Sequence, residues 1–290
     1  MKYVILGNGY VGNYLAKHLP NSVLHTEKVW LKEQIVELML NTHPSSVLVN
    51  CAGKIGKPNV DWCEDNKAET FGGNVGLPVM LAETCKEIKQ PWIHIGSGCI
   101  YDGYDKVWTE DDEPNFTGSF YSKTKVWSQR ILEEYDEVCV LRVRMPIDEE
   151  ISDRSFVGKL VRYATAGNPI LSLPNSVTFL SDLVMMVICM AEKGQTGTFN
   201  AVNPQSLTAE NVFELWQKHI DDKINPQYQD AEKVLATLKA GRSNCVLSTR
   251  KMEMEGVASE DAYRKLESVL INLAKRRKEN GSEEKSQSTS

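Results

Sequence analysis

Short β-branched runs alternate with longer amphipathic stretches through the first half of the chain. Tyr3–Leu6, Ser22–His25, Val47–Asn50, Trp92–Ile95 and Val138–Val143 read as strands. Between them, stretches near 10–19, 30–41, 66–89 and 119–136 carry apolar residues at helical spacing. Near-continuous apolar strands separated by helices predict a doubly wound parallel sheet, because each parallel crossover needs a helix and lays it on a face. After Pro146 the rhythm changes. Helices are expected near 155–167, 181–192, 208–221 and 229–240, with one further strand at Thr198–Val202. These form a smaller, mostly helical C-terminal lobe over 148–274, with the chain returning to the first domain (1–147) near 175–203. Ser259 starts a last helix in which Tyr263, Leu266, Leu270 and Leu273 recur at helical spacing. From Lys275 to Ser290 there is no apolar residue to offset ordering entropy, so 275–290 is expected to be a disordered tail.

Charge narrows the function classes. The 290 residues hold 33 Lys+Arg against 39 Asp+Glu, a net charge of −6, which argues against a general nucleic-acid or membrane-surface binder. No window reaches the roughly 18 apolar residues of a membrane span, and Gly7 comes too early for a signal-peptide core, so a cytoplasmic protein is expected. The seven cysteines are odd in number, scattered, and free of any C-x-x-C pair. Neither a disulfide framework nor a metal site is expected.

Gly7-Asn8-Gly9-Tyr10-Val11-Gly12 follows the first strand directly and opens a helix. G-x-G-x-x-G in that context lets a pyrophosphate approach the helix N-terminus, whose free N–H groups favour an anion. It predicts a Rossmann-like α/β domain that binds a dinucleotide through Gly7, Gly9, Tyr10, Val11 and Gly12. Asn50-Cys51-Ala52-Gly53, closing the Val47–Asn50 strand, is assigned to the same site. Glu27 stands where an acidic residue binds ribose hydroxyls and favours NADH, whereas Lys28 beside it can pair with the 2′-phosphate of NADPH. The two readings stay open.

Tyr121-Ser122-Lys123-Thr124-Lys125 places a phenol and an ammonium one helical turn apart. Lowering a tyrosine pKa from about 10 toward 7 takes about 4 kcal/mol, which a close ammonium in a dry site can supply. With Ser97 ending the strand before this helix, the chain resembles the extended short-chain dehydrogenase/reductase family over most of residues 1–255. The resemblance implies an active site of Ser97, Tyr121 and Lys125, and a structural helix asparagine at Asn74.

Within that family, Pro58–Glu64, Gly98-Cys99-Ile100, Pro114–Phe116 with Gly118–Lys125, Leu141–Ile147 and Arg242-Ser243-Asn244 are similar to the plant and giant-virus enzymes of UDP-rhamnose synthesis. Those are bifunctional 3,5-epimerase/4-reductases acting on a nucleotide 4-keto-6-deoxyhexose. Two departures stand out. The relatives usually carry one more residue in the first glycine loop, and an arginine after strand two where this chain has His25-Thr26-Glu27-Lys28. The resemblance implies NADPH as cofactor, with NADH open, a UDP-sugar substrate and a homodimer.

Inverting the carbons beside a keto group needs a base on one face and an acid on the other. Cys99, two residues after Ser97, points to the same side of the strand end, and the resemblance gives a cysteine there acid/base work. It also maps the second proton carrier to Lys159 and places Asn175 near the sugar nucleotide. Lys57, Asn59 and Arg242 complete the expected substrate contacts, with Arg242 suited to a phosphate. A 4,6-dehydratase is disfavoured because Gly98-Cys99 replaces its acidic pair. A dTDP-4-dehydrorhamnose reductase without epimerase activity and a non-catalytic regulatory subunit that keeps the cofactor fold remain the alternatives.

Overall fold

The computed structural model describes residues 1–41 and 46–287. The chain runs through β1 (Lys2–Leu6), α1 (Tyr10–His18), β2 (Ser22–His25), α2 (Lys32–Leu40), β3 (Ser46–Asn50), α3 (Trp62–Asp65) and α4 (Lys67–Phe71). A π-helical turn (Gly72–Gly76) leads into α5 (Leu77–Glu87), β4 (Trp92–Ser97), β5 (Gly103–Trp108), α6 (Phe120–Leu132) and β6 (Val138–Val143). Next come β7 (Pro146–Ile147), α7 (Phe156–Thr165), β8 (Pro169–Ile170), β9 (Thr178–Phe179), α8 (Leu180–Lys193), β10 (Gly197–Asn200) and α9 (Ala209–His219). The chain closes with β11 (Gln227–Tyr228), α10 (Ala231–Ala236), β12 (Cys245–Leu247), α11 (Arg250–Met254) and α12 (Ala262–Gln287).

The main sheet has six parallel strands in the order β10-β6-β4-β3-β1-β2. Alternate strand residues go to opposite faces. Tyr3, Ile5, Val49, Ile93 and Leu141 meet Leu15 of α1 and Leu183, Met186 and Val187 of α8. Val4, Leu6, Leu48, Trp92 and Val140 meet Ile35 of α2, Leu81 of α5 and Leu132 of α6. Both faces are therefore covered, as the near-continuous apolar strands require. The last strand, β10, lies in the second half of the chain yet pairs with β6. A second core joins Val157 of α7, Phe179 of β9, Val212 and Trp216 of α9, and Leu266 and Leu270 of α12.

Three local differences from the sequence expectations have physical causes. The stretch 66–89 is not one helix: the turn at Gly72–Gly76 interrupts it, where an added Cβ at Gly73 would lie 2.8 Å from the Lys54 side chain. The helix near 229–240 is shorter, Ala231–Ala236, and has no buried residue to extend its packing. The segment from Lys275, expected to be disordered, continues α12 to Gln287. Its first turn is tied back to the protein. Arg276 donates to the Glu149 carbonyl across 2.7 Å, and the Arg277 guanidinium lies 5.6 Å from the Trp216 ring. No helix among the described residues is long and apolar enough to cross a membrane.

Candidate active site

The order of the main sheet reverses between β1 and β3, and the carboxyl ends of the strands at such a reversal are where open α/β sheets bind ligands. Gly7, with φ of +105°, makes the turn after β1, and a Cβ there would stand 2.6 Å from the Ala52 nitrogen. At Gly12 a Cβ would meet the Gly7 carbonyl at 1.9 Å, so the first turn of α1 can rest directly on the loop. Gly9 is different: a Cβ there meets nothing within 4 Å. The backbone is bare at the N-terminus of α1, which is the form a pyrophosphate needs.

The side chains around this loop mostly face elsewhere. Tyr10 turns toward the second lobe, where its hydroxyl donates to Asp148 across 2.7 Å, leaving its backbone amide at the helix N-terminus. Val11 packs against the core, and burial pushes the Cys51 thiol up to about 12, so it serves as an apolar group. The Ala52 amide donates to Asn50 Oδ1 at 3.0 Å. A Cβ on Gly53 would come within 3.1 Å of Asn74 and 3.6 Å of Lys125 Nζ, so this glycine lets the loop after β3 lie close against α6. Glu27 and Lys28 are both exposed after β2, with Lys28 Nζ 5.6 Å from the Trp30 ring.

Helix α6 starts at Phe120 because two side chains take its free amides. Ser119 Oγ accepts from Ser122 N (3.0 Å), and Glu64 accepts from Phe120 N (2.6 Å). This start faces Tyr121 toward the end of β4, where its hydroxyl donates to Ser97 Oγ across 3.3 Å. Both residues and Lys125 are buried. Burial holds the phenol above its usual value, Cys99 adds to this, and Ser97 and the Arg144 guanidinium work against it. The expected lowering by Lys125 is absent here. Its Nζ lies 6.0 Å from the Tyr121 ring centroid, and burial brings its own pKa down to about 8. Beneath it, His94 is held neutral, with burial first and Lys125 second pushing its pKa well below the usual value.

Asn74, on the π-helical turn, braces this arrangement. Its Oδ1 accepts from Lys54 N (2.7 Å), and its Nδ2 donates to the Lys54 carbonyl (2.9 Å) and to Thr124 Oγ1 (3.1 Å). One fully buried amide thus fixes the loop after β3 against the residue beside Lys125.

Cys99 is partly exposed, and its amide donates to Ser97 Oγ at 3.2 Å. The buried Arg144 donates to its sulfur across 3.5 Å. Lys159 lies on the exposed side of α7, and no hydrogen bond or ion pair among the described residues joins it to Ser97, Cys99 or Tyr121. Surrounding protein mass, followed by Arg154 and Arg162, holds its ammonium below the usual lysine value.

The expected substrate residues divide. Asn175 is buried, accepts from Arg144 and from Cys245 N (3.1 Å), and donates to Asn244 (3.1 Å) and Leu173 (3.3 Å). Its amide is fully engaged inside the protein. Arg242 forms an ion pair with Asp61 at 3.0 Å, tying the lobe to the loop before α3. Burial raises the Asp61 carboxyl, but hydrogen bonds from Arg242 and Ala240 outweigh it and hold it below the usual range. Asn59 accepts from Asp61 N (2.8 Å) and shapes that loop, while Lys57 is exposed. Arg144 was not legible as a site residue in the sequence. Its one signal was a position two residues after Arg142, at the end of an apolar strand.

A glycine loop fit for a dinucleotide pyrophosphate at the strand reversal, with a buried phenol at the end of β4, suits the joint transfer of a hydride and a proton. By fold and site this is an oxidoreductase. Its family is shown by comparison: residues 1–274 match the RmlD substrate binding domain, and the chain belongs to that family. The bifunctional dTDP-4-dehydrorhamnose 3,5-epimerase/dTDP-4-dehydrorhamnose reductase of Arabidopsis thaliana is 37% identical over 233 residues, 77% of this chain and 75% of that protein. The trifunctional UDP-glucose 4,6-dehydratase/UDP-4-keto-6-deoxy-D-glucose 3,5-epimerase/UDP-4-keto-L-rhamnose-reductase of the same plant is 35% identical over 272 residues. That match covers 88% of this chain, which spans only 39% of the length of the plant protein. The crystal structure of the UDP-rhamnose synthase from Acanthamoeba polyphaga mimivirus superposes with a TM-score of 0.85 at 30% identity, covering 93% of this chain and 99% of that one.

Proposed function

We propose that the protein is a cytoplasmic, homodimeric 3,5-epimerase/4-reductase that converts UDP-4-keto-6-deoxy-D-glucose to UDP-L-rhamnose with NADPH. The observation that carries this reading is the meeting of Ser97, Cys99 and Tyr121 at the end of β4, linked through Ser97 Oγ. The plant and viral relatives bear names for these activities and match across most of the chain.

The C–H bonds at C3 and C5 of such a sugar are acidic, because the C4 carbonyl takes up the electron pair as an enolate. Cys99, as a thiolate, accepts the proton on one face, and Lys159, once the lobes have closed on the sugar, returns a proton to the other. Each exchange inverts one carbon and leaves the sugar neutral, with Cys99 protonated and Lys159 uncharged; Cys99 then gives its proton to solvent and Lys159 takes one back before the second carbon is inverted. Ser97 then hydrogen-bonds the keto oxygen while Tyr121 gives it a proton. A phenol held above its usual value stays protonated at neutral pH, the state a donor requires. A nicotinamide cofactor, held at the Gly7–Gly12 loop, would supply the hydride to C4. Lys125 and Gly53 hold the ribose end of that site, and Arg242 meets the diphosphate after leaving Asp61.

The decisive experiment is to incubate the protein with the UDP sugar and NADPH in deuterated water and read the product by NMR. Deuterium at C3 and C5 of UDP-L-rhamnose supports both activities. NADPH oxidation without deuterium reduces the function to the 4-reductase alone, the reading favoured by the separation of Lys159 from the Cys99 cluster. Absence of turnover with UDP and dTDP sugars overturns the assignment in favour of a regulatory subunit. Sedimentation at twice the 32.6 kDa chain mass supports the dimer.

A further inference from the structure

We infer that Arg144 is the built-in counter-ion of a Cys99 thiolate, and the positioning residue that makes Cys99 a proton acceptor. The inference rests on the epimerase reading of Cys99 and deepens it.

Arg144 is 1% exposed, so its guanidinium is taken almost entirely out of water. A buried charge of this kind is costly unless it is paired. Among the described residues no carboxylate lies within ion-pair distance. Nη1 donates to the Gly98 carbonyl (3.2 Å), Ser243 Oγ (3.0 Å) and Cys99 Sγ (3.5 Å). Nη2 donates to Asn175 Oδ1 and the Ser243 carbonyl (2.6 Å), and the buried Nε has no partner among the described residues. Except for sulfur, every acceptor is neutral.

Of the titratable side chains near Arg144, Cys99 alone among the described residues accepts a hydrogen bond from it. Burial pushes Cys245 up to about 11, Tyr104 up to about 12 and Tyr121 higher still, so none of the three is an anion near neutral pH. The Asp102 carboxylate also acts on Tyr104 and Cys245 but makes no ion pair with Arg144 among the described residues, whereas the Cys99 sulfur is in direct contact with the guanidinium; Cys99 also interacts with the Lys125 ammonium. Asn175 and Ser243 hold the guanidinium in place, so the charge is fixed before substrate arrives. When the thiolate takes a proton from a sugar carbon, the negative charge passes to the enolate and Arg144 keeps its own protons.

The test reads the thiolate rather than turnover. Iodoacetamide alkylates thiolates, and peptide mass mapping follows Cys99 separately from the other cysteines. At pH 7, Arg144→Gln is expected to slow Cys99 alkylation about ten-fold or more, the change that about 1.4 kcal/mol of lost pairing gives. Arg144→Lys should restore part of the rate, and Cys189, far from the site, should be unaffected. Alkylation of Cys99 in Arg144→Gln within about two-fold of the parent overturns the inference.

Should Arg144→Gln fail to fold, substitution at the sulfur tests the same charge with Arg144 intact. Cys99→Asp supplies a permanent anion and is expected to melt above Cys99→Asn; an equal or lower melting temperature overturns the inference. The two readings fail separately. Undiminished deuterium exchange in Cys99→Ala would remove the epimerase role and leave the charge pairing, whereas unchanged alkylation would do the reverse.

Discussion

The Tyr121 hydroxyl lies 3.3 Å from Ser97 Oγ, and the Cys99 amide lies 3.2 Å from the same oxygen, so one serine links the proposed reduction and epimerisation groups. Tyr121→Phe removes the proton donor and keeps the buried ring. NADPH oxidation with the 4-keto sugar should fall by at least about 100-fold, while deuterium still enters C3 and C5. Stopped-flow absorbance and NMR check the two halves.

The glycine loop gives a paired prediction. Gly12→Ala forces a Cβ to within 1.9 Å of the Gly7 carbonyl and should lower the melting temperature sharply. Gly9→Ala meets nothing within 4 Å and should melt like the parent. Calorimetry should nevertheless show weaker NADPH binding in Gly9→Ala, because the methyl group occupies the approach of the pyrophosphate.

Asn74→Ala strands Lys54 N, the Lys54 carbonyl and Thr124 Oγ1 without their partner. Losing three hydrogen bonds to one buried amide, while Thr124 Oγ1 keeps its bond to the Tyr121 carbonyl, should cost about 3 kcal/mol in urea unfolding. The same change loosens the loop against α6, so kcat should fall as well.

Lys125 sets a pH dependence of stability. Burial lowers its pKa from 10.5 to about 8, so the folded state disfavours the charged form. Below pH 8 the folded protein bears the full penalty; between 8 and 10.5 the unfolded chain holds more protons, and stability gains as pH rises. Lys125→Met should therefore be more stable at pH 7 by on the order of 3 kcal/mol, with no activity. The gap to the parent should close as pH climbs toward 10.5, measured by denaturant unfolding at each pH. Reading the difference between the two proteins cancels the buried thiols and phenols, whose raised pKa values work in the opposite direction.

Much of this protein is written locally. Two-residue alternation in the strands and the helical period between them encode which side each residue buries, and that record survives in the sequence because packing is repetitive. Gly7, Gly9 and Gly12 are legible for the same reason, since a turn and a helix start are short-range events. Tyr121 and Lys125 stood out by their one-turn spacing, and Ser97 was joined to them by the family resemblance; the structure brings Ser97 and Tyr121 together at the end of β4.

Other properties depended on the closed chain. Arg144 meets Ser243 across 99 residues of sequence, and no local period encodes that contact. Asn175, expected near the sugar nucleotide, holds Arg144, and Arg242, expected on phosphate, is paired with Asp61. Lys275–Gln287 has no apolar face, yet Arg276 and Arg277 reach back to Glu149 and Trp216. The sequence by itself determined the fold class and the places of the glycine turns. Tertiary structure decided which polar groups are buried together, and therefore their charge states, because desolvation and hydrogen-bond partners exist only once distant segments meet.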